Sequence, residues 1–463
     1  MIKDSNVIKY LDDAAKIHPH FDALHDVTPE KAAADALRKK IRESKDELEY
    51  VGKVYYISNN GDDNNDGLSP ETAWKTIRRY EDHHELFDDA GGATLLFERG
   101  GIYRGFFGAC NNSAYGAYGE GKKPEIWGSK QNFADPSLWN DCGNNLWSIE
   151  LIGYDGKAMW DVGLIAMDET TIAYKVLTGL SDVEFDLEYY HDVNAGILYL
   201  VSTKGNPGSR FKSIEMSPRH HGIYGYNVKN FSIDNLCIKY AGVHGLGFVN
   251  VENVKVTNCE FGWIGGSSVD GTYRLGNAVE FWANCENVSV ENCYMYQCYD
   301  TGITHQAHVG IQKNVRIANN LIEDCIYGIE FFVRTEDSFM ENIVYEGNIV
   351  RFSGYGWGDQ RPNPDGNASI VGWAHPMHQN KAKNFIIKDN ILSCSSWYLV
   401  FLSHPNKEES DIRFIGNTYY QTKGVYTAAA KWTNCEILPA YDQESLEKSI
   451  RMIDENPKEI KFL

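Results

Sequence analysis

Seven nine-residue segments align without gaps along the second half of the chain: NFSIDNLCI from Asn230, NVKVTNCEF from Asn253, NVSVENCYM from Asn287, NVRIANNLI from Asn314, NIVYEGNIV from Asn342, NFIIKDNIL from Asn384 and DIRFIGNTY from Asp411. Their starts lie 23, 34, 27, 28, 42 and 27 residues apart. Self-similarity at such a period marks a solenoid, in which each repeat contacts chiefly its neighbours. The first position is Asn six times and then Asp, and the second, fourth and ninth are apolar in every copy. Alternation puts the second and fourth side chains on one face of a strand, the inner one. A stacked Asn column can hydrogen-bond along the axis and satisfy turn backbone groups. The pattern predicts an all-β fold, a parallel β-helix.

A second strand follows each of the first six repeats. It aligns GLGFV from Gly245, AVEFW from Ala278, GITHQ from Gly302, GIEFF from Gly328, SIVGW from Ser369 and YLVFL from Tyr398. The second residue of each pentamer is Leu, Val or Ile and is expected inside. The third is then expected outside: Gly247, Glu280, Thr304, Glu330, Val371 and Val400. Two turns carry extra residues just before this strand, GWIGGSSVDGTYRLGN and SGYGWGDQRPNPDGNA. These are expected to form two walls with the outward faces of the intervening turns as a floor, because long loops on a rigid scaffold are where sites are usually built.

Around this core the chain divides into 1–52, 53–124, 125–220, 221–425 and 426–463. Residues 1–52 have helical spacing in AAADALRKKIRESKDELEYV and are expected to cover an end of the solenoid or to mediate contacts in a homo-oligomer. Residues 53–124 read as leading strands with a short helix, 125–220 as an inserted β-rich lobe or irregular turns, and 426–463 as a terminal cap whose ESLEKSIRMI is helical. Asp62, Asp63 and Asp66 offer oxygens of the kind calcium takes, although Asp is also an ordinary turn residue.

The net charge of −20 argues against a nucleic-acid partner. It also weighs against a polyanionic ligand. No uncharged apolar window of membrane-spanning length exists, and the first residues have no apolar signal core. Cys237, Cys259, Cys293, Cys298 and Cys325 fall inside the repeats as reduced core residues. Together these features point to a cytoplasmic protein.

The run Asp-Gly-Leu-Ser-Pro-Glu-Thr-Ala-Trp-Lys-Thr-Ile at 66–77, with the repeats and pentamers, resembles the right-handed parallel β-helix proteins of the pectate-lyase-like superfamily, over residues 53–120 and 225–420. The resemblance implies a carbohydrate-active protein. The polygalacturonase quartet is not found in the repeats, Val243-His244-Gly245 being a partial echo, and no Lys–Arg pair of the alginate-lyase kind marks the floor. Lyases acting on uronates need cations and a base. The acidic floor resembles the β-helix glycoside hydrolases instead.

Glu280 and Glu330 are expected two turns apart on one column, with Asp300 between them as a third carboxylate, so these three are the catalytic candidates. Apolar neighbours would raise the pKa of such a Glu, as a general acid needs. Trp282, Thr304, His305, His308, Arg334, Asp270, Asp359, Trp373, His375 and His378 are candidate substrate contacts. Alternation turns His305 inward, which favours a core role. His-x-x-His at His375 and His378 without a third ligand is a weak metal signal, and no metal or other cofactor is assigned. The expected activity is exo-acting hydrolysis of a neutral, plant-type oligosaccharide. The alternatives are a uronate-directed lyase or epimerase, and a solenoid that binds carbohydrate without cleaving it.

Overall fold

A computed structural model describes residues 25–87, 91–271, 273–307, 309–333, 335, 337–360, 367–374, 381–402, 410–422, 428–432 and 438–463. The repeats are coils of a parallel β-helix, and each coil contributes to three stacked faces. One face holds the first half of each nine-residue segment, paired in parallel and in register: Val254 with Val288, Val288 with Val315, Val315 with Ile343, Ile343 with Phe385, and Phe385 with Ile412. A flank face holds the second half, running from Ile102–Arg104 to Glu459–Phe462. The third face holds the pentamers. In two coils pentamer and repeat form one bent strand, Leu246–Thr257 and Val279–Glu291.

The side chains at the second, fourth and ninth positions all enter one continuous apolar core, from Phe231 to Tyr419. Burial of this size is the main driving force for the coil stack. The expected Asn column forms: Asn253 donates to Asn230 (2.8 Å), Asn287 to Asn253 (2.8 Å), Asn314 to Asn287 (2.7 Å), Asn342 to Asn314 (3.0 Å) and Asn384 to Asn342 (2.9 Å). All six sit at φ between 53° and 58°, a left-handed conformation that Asn tolerates better than most residues. A second ladder, unforeseen, runs through the seventh position inside the rod. Asn320 donates to Asn348, Asn348 to Asn390 and Asn390 to Asn417, each at 2.9 Å, and Asn417 to Asp454 at 2.8 Å.

Both ends are plugged. Trp74, Ile77, Tyr80 and Phe87 enter the core at the beginning of the stack. Leu446 and Ile450 of helix Gln443–Ile450 enter it at the other end. Helix Lys31–Arg42 therefore does not cover an end. Its Ala34 and Ile41 pack on Tyr294, Leu321 and Ile349 along the flank face, beside Arg38–Glu323 (2.8 Å) and Arg42–Glu260 (2.7 Å) ion pairs. The helix ends at Arg42, and residues 44–51 form no regular element.

Between the flank strand Glu125–Trp127 and the pentamer-face strand Ile223–Tyr226 the chain builds a lobe from a five-stranded and a three-stranded, mostly antiparallel, sheet with its own core. Gly163 of this lobe meets the coil loop so closely that a Cβ there would lie 2.2 Å from the Ser267 nitrogen. In the leading turn, Asp62, Asp63 and Asp66 accept hydrogen bonds from Asn64, from Lys75 and Thr76, and from Leu68 and Thr72 respectively. Their oxygens serve the turn. Among the described residues no group of three or more His, Cys, Asp or Glu gathers closely enough to hold a metal ion. No helix among those residues is long and apolar enough to cross a membrane.

Candidate active site

On the third face the register runs Tyr224, Gly247, Glu280, Thr304, Glu330, Val371. The acids thus stand on one outward column with Thr304 between them. Two strand steps put their backbones about 9–10 Å apart. The last member differs from expectation. Ile370 pairs with Val400 and Val371 with Phe401, so Phe401 takes the outward place and Val400 enters the core. Two residues further along each strand an aromatic column accompanies the acids: Tyr226, Val249, Trp282, Gln306, Phe332, Trp373. The Trp282 and Phe332 rings meet edge to face at 6.4 Å.

The residues before the first three pentamers, with His221 one coil earlier, form a polar column that sequence reasoning missed: His221, His244, Asn277, Thr301. Its signal was visible as a polar side chain at the same offset in four successive coils. The backbone N–H of Asn277 donates to His244 Nδ1 (3.0 Å), and that of Thr301 to Asn277 Oδ1 (3.0 Å). Asn277 Nδ2 then donates to Glu280 Oε2 (2.8 Å), which also lies 2.6 Å from His244 Nε2.

The two glutamates are equally buried, each 7% exposed, yet their surroundings drive them apart. Burial alone would raise Glu280, but His244 and Asn277 outweigh it and hold the carboxyl below its ordinary range. Among the described residues no Lys, Arg or His bonds to Glu330. Burial first, then the charge of Asp300 and more weakly that of Glu280, pushes it up to about 8 against the hydrogen bonds of Thr304 and Gln306. Its Oε2 accepts from Thr304 (2.8 Å), Gln306 (2.8 Å) and Thr301 (3.4 Å), and Gln306 also donates to Thr304 (3.0 Å). With Oε2 occupied by donors, the proton of the neutral acid belongs on Oε1. Oppositely tuned neighbouring carboxyls are how acid and base roles are separated.

The walls are arranged otherwise than expected. Among the described residues the two insertions meet each other, at Arg274 and Trp357 over Tyr299. Trp357 lies 5.1 Å from the Tyr299 ring and donates its indole N–H to Gln297 O (2.8 Å). The Arg274 guanidinium, from the other insertion, stacks on Tyr299 at 4.3 Å and donates to Gly266 O and Gly163 O. Leu164, Ala166 and Ile172 of the lobe complete this cluster. Asp300 follows Tyr299 at its foot, its N–H bound to Gly276 O (2.9 Å). Asp270 and Asp359, one in each insertion, are exposed.

His305 is a correction. It is fully buried, on the inner side of the strand, with Nε2 2.6 Å from the Tyr345 hydroxyl and a pKa driven by burial down to about 3. It is a core residue and contacts nothing outside. Trp373 lies in strand Ala368–Ala374, level with Phe332, but its side chain is outside what is described. His308, Arg334, His375 and His378 also lie outside the described residues.

A family model described as "Right handed beta helix region" matches residues 201–357. No curated protein matches in sequence. A solved structure described as "Glycoside hydrolase" is similar, at 10% identity and a TM-score of 0.50, over 89% of this chain and 96% of its own. The complex of XylC with xylose is 13% identical with a TM-score of 0.44, over 88% and 82% of the two chains. A GH136 lacto-N-biosidase from Eubacterium ramulus is 14% identical with a TM-score of 0.40, over 82% and 67%. At such identities the likeness concerns the fold. The chain is a right-handed parallel β-helix protein. The chemistry of its acid-lined face has to be argued from its own residues.

Proposed function

We propose that the protein is a glycoside hydrolase acting on a neutral oligosaccharide. One observation carries this reading: two buried carboxyls share a column in register, one surrounded so as to stay ionised and the other so as to stay protonated at neutral pH. Glu330 donates its Oε1 proton to the glycosidic oxygen as the bond to the anomeric carbon breaks. Glu280, ionised, takes a proton from the water that attacks the opposite face. A separation of two coils suits the roughly 6.5–9.5 Å that an intervening water needs, so the expected outcome is inversion. The aromatic column beside the acids supplies apolar faces for a sugar ring. Among the described residues no Lys or Arg is bonded to either glutamate, which favours hydrolysis over uronate elimination. Among the described residues nine cysteines are unpaired and eight of them buried, which supports the proposal of a reducing, cytoplasmic setting.

The test is a screen of 4-nitrophenyl glycosides and neutral plant oligosaccharides, with Glu280→Gln as control. Release of sugar by the wild type and a kcat reduced roughly 10²-fold or more in the variant are expected. Proton NMR of the first-formed anomer then separates two partners for Glu330. An inverted product supports Glu280. A retained product would assign the second carboxylate to Asp300, which lies on the intervening coil and whose charge raises Glu330 more than that of Glu280 does. A product absorbing in the near ultraviolet would show elimination, and intact binding without any cleavage would leave a carbohydrate-binding solenoid.

A further inference from the structure

His244 reaches Glu280 from the neighbouring coil, and its two ring nitrogens are both engaged. Nδ1 accepts from the Asn277 backbone N–H at 3.0 Å, so it carries the lone pair. The ring proton therefore belongs on Nε2, 2.6 Å from Glu280 Oε2. The donor that fixes the tautomer thus comes from the residue whose own side chain holds the same carboxylate oxygen. On its other side the His221 ring lies 5.2 Å away, tilted by 35° to that of His244. The His221 ring lies over Gly247, where a Cβ would come within 2.2 Å of its Nδ1. Gly247 is the outward residue of the coil before Glu280, and only a residue without a side chain leaves that space.

We propose that His244 is a positioning residue: its Nε2–H orients Glu280 and holds it as a carboxylate, leaving Oε1 to meet the attacking water. This rests on the reading of Glu280 as the base. The titratable groups facing His244 are Glu280 on one side and His221 on the other, with His220 beyond His221 and Glu330 and Asp300 beyond Glu280. Burial keeps His221 neutral, down to about pH 3, so it shields the pair without competing for its charge. A purely structural histidine would not need its proton on the nitrogen that faces an acid.

Two measurements decide the matter. In the first, pH profiles of kcat/KM are compared for wild type, His244→Leu and His244→Gln on the 4-nitrophenyl glycoside cleaved best. With the donor gone, burial prevails and Glu280 needs a higher pH to ionise. His244→Leu is thus expected to move the acid limb upward and to lower kcat/KM at pH 6 roughly tenfold or more, with KM less affected than kcat. His244→Gln keeps one donor and one acceptor and is expected to bring the limb back. An unmoved acid limb in folded His244→Leu protein overturns the proposal. The second measurement needs no substrate. Long-range ¹⁵N–¹H spectra of histidine-labelled protein, assigned with His244→Gln, are expected to show the Nε2–H tautomer, with its resonances displaced in Glu280→Gln. A proton on Nδ1, or resonances indifferent to Glu280→Gln, overturns the proposal even if no glycoside is ever cleaved, an outcome that would overturn the hydrolase reading alone.

Discussion

Glu330→Gln is expected to lower kcat by roughly 10²–10⁴-fold while leaving the fold intact, since Gln fits the same space and can still accept at the oxygen that Thr304 and Gln306 hold. The wild-type profile is expected to fall on the alkaline side near pH 8, where burial and Asp300 place the proton loss of Glu330. The variant's residual activity is expected to lack that limb. Stability supplies a check that needs no substrate. Glu330 binds its proton more tightly in the folded chain than in the unfolded one. Between the ordinary carboxylate range and about pH 8 the unfolded chain gives up this proton and the folded chain keeps it. The contribution of Glu330 is therefore fully present below that window and is lost as pH rises through it. Urea midpoints of wild type are expected to fall from pH 5 to pH 9, and those of Glu330→Gln to fall less. Parallel curves for the two proteins would mean that Glu330 ionises as an ordinary carboxyl, leaving the proposed acid without its proton.

The second large effect concerns the rod. Asn348→Ala removes the middle rung of the inner ladder, which accepts from the Asn320 N–H (3.0 Å) and Nδ2 (2.9 Å) and donates to Asn390 Oδ1 and Ile317 O (2.9 Å each). Asn348 is wholly buried, so water does not replace these partners. Unsatisfied buried groups cost about 1–3 kcal/mol each, and a total loss of about 3–5 kcal/mol is expected in chemical denaturation. Asn314→Gly removes a rung of the outer column at a half-buried strand position with φ 53°, which Gly adopts freely. There the expected loss is below about 1 kcal/mol. Equal losses would mean that the two columns do the same work, contrary to their different burial.

The outer column, the core positions and the pentamers were legible because a solenoid repeats its physics. The same side chain meets the same neighbours in every coil, and chance does not align seven copies. Glu280 and Glu330 were legible for that reason, as was the inward turn of His305. The seventh-position ladder was equally on display, as Asn in four successive copies, but its first three members are Leu236, Cys259 and Cys293, which disguised it. The slip at Val400 arose where pairing shifts by one residue relative to the pentamer alignment, and no local signal announces such a shift.

Sequence alone determined the coil, its inward and outward residues, and that two distant acids share a column, because strand alternation and a regular repeat convert spacing into position. Tertiary structure decided what those acids are. Glu280 is held by a histidine one coil away, whereas Glu330 is buried among Thr304 and Gln306 with the charge of Asp300 nearby, and these distances depend on how coils stack. The joining of the two insertions over Tyr299 was likewise settled only by packing, because loops of no repeating period take their path from whatever surface they meet.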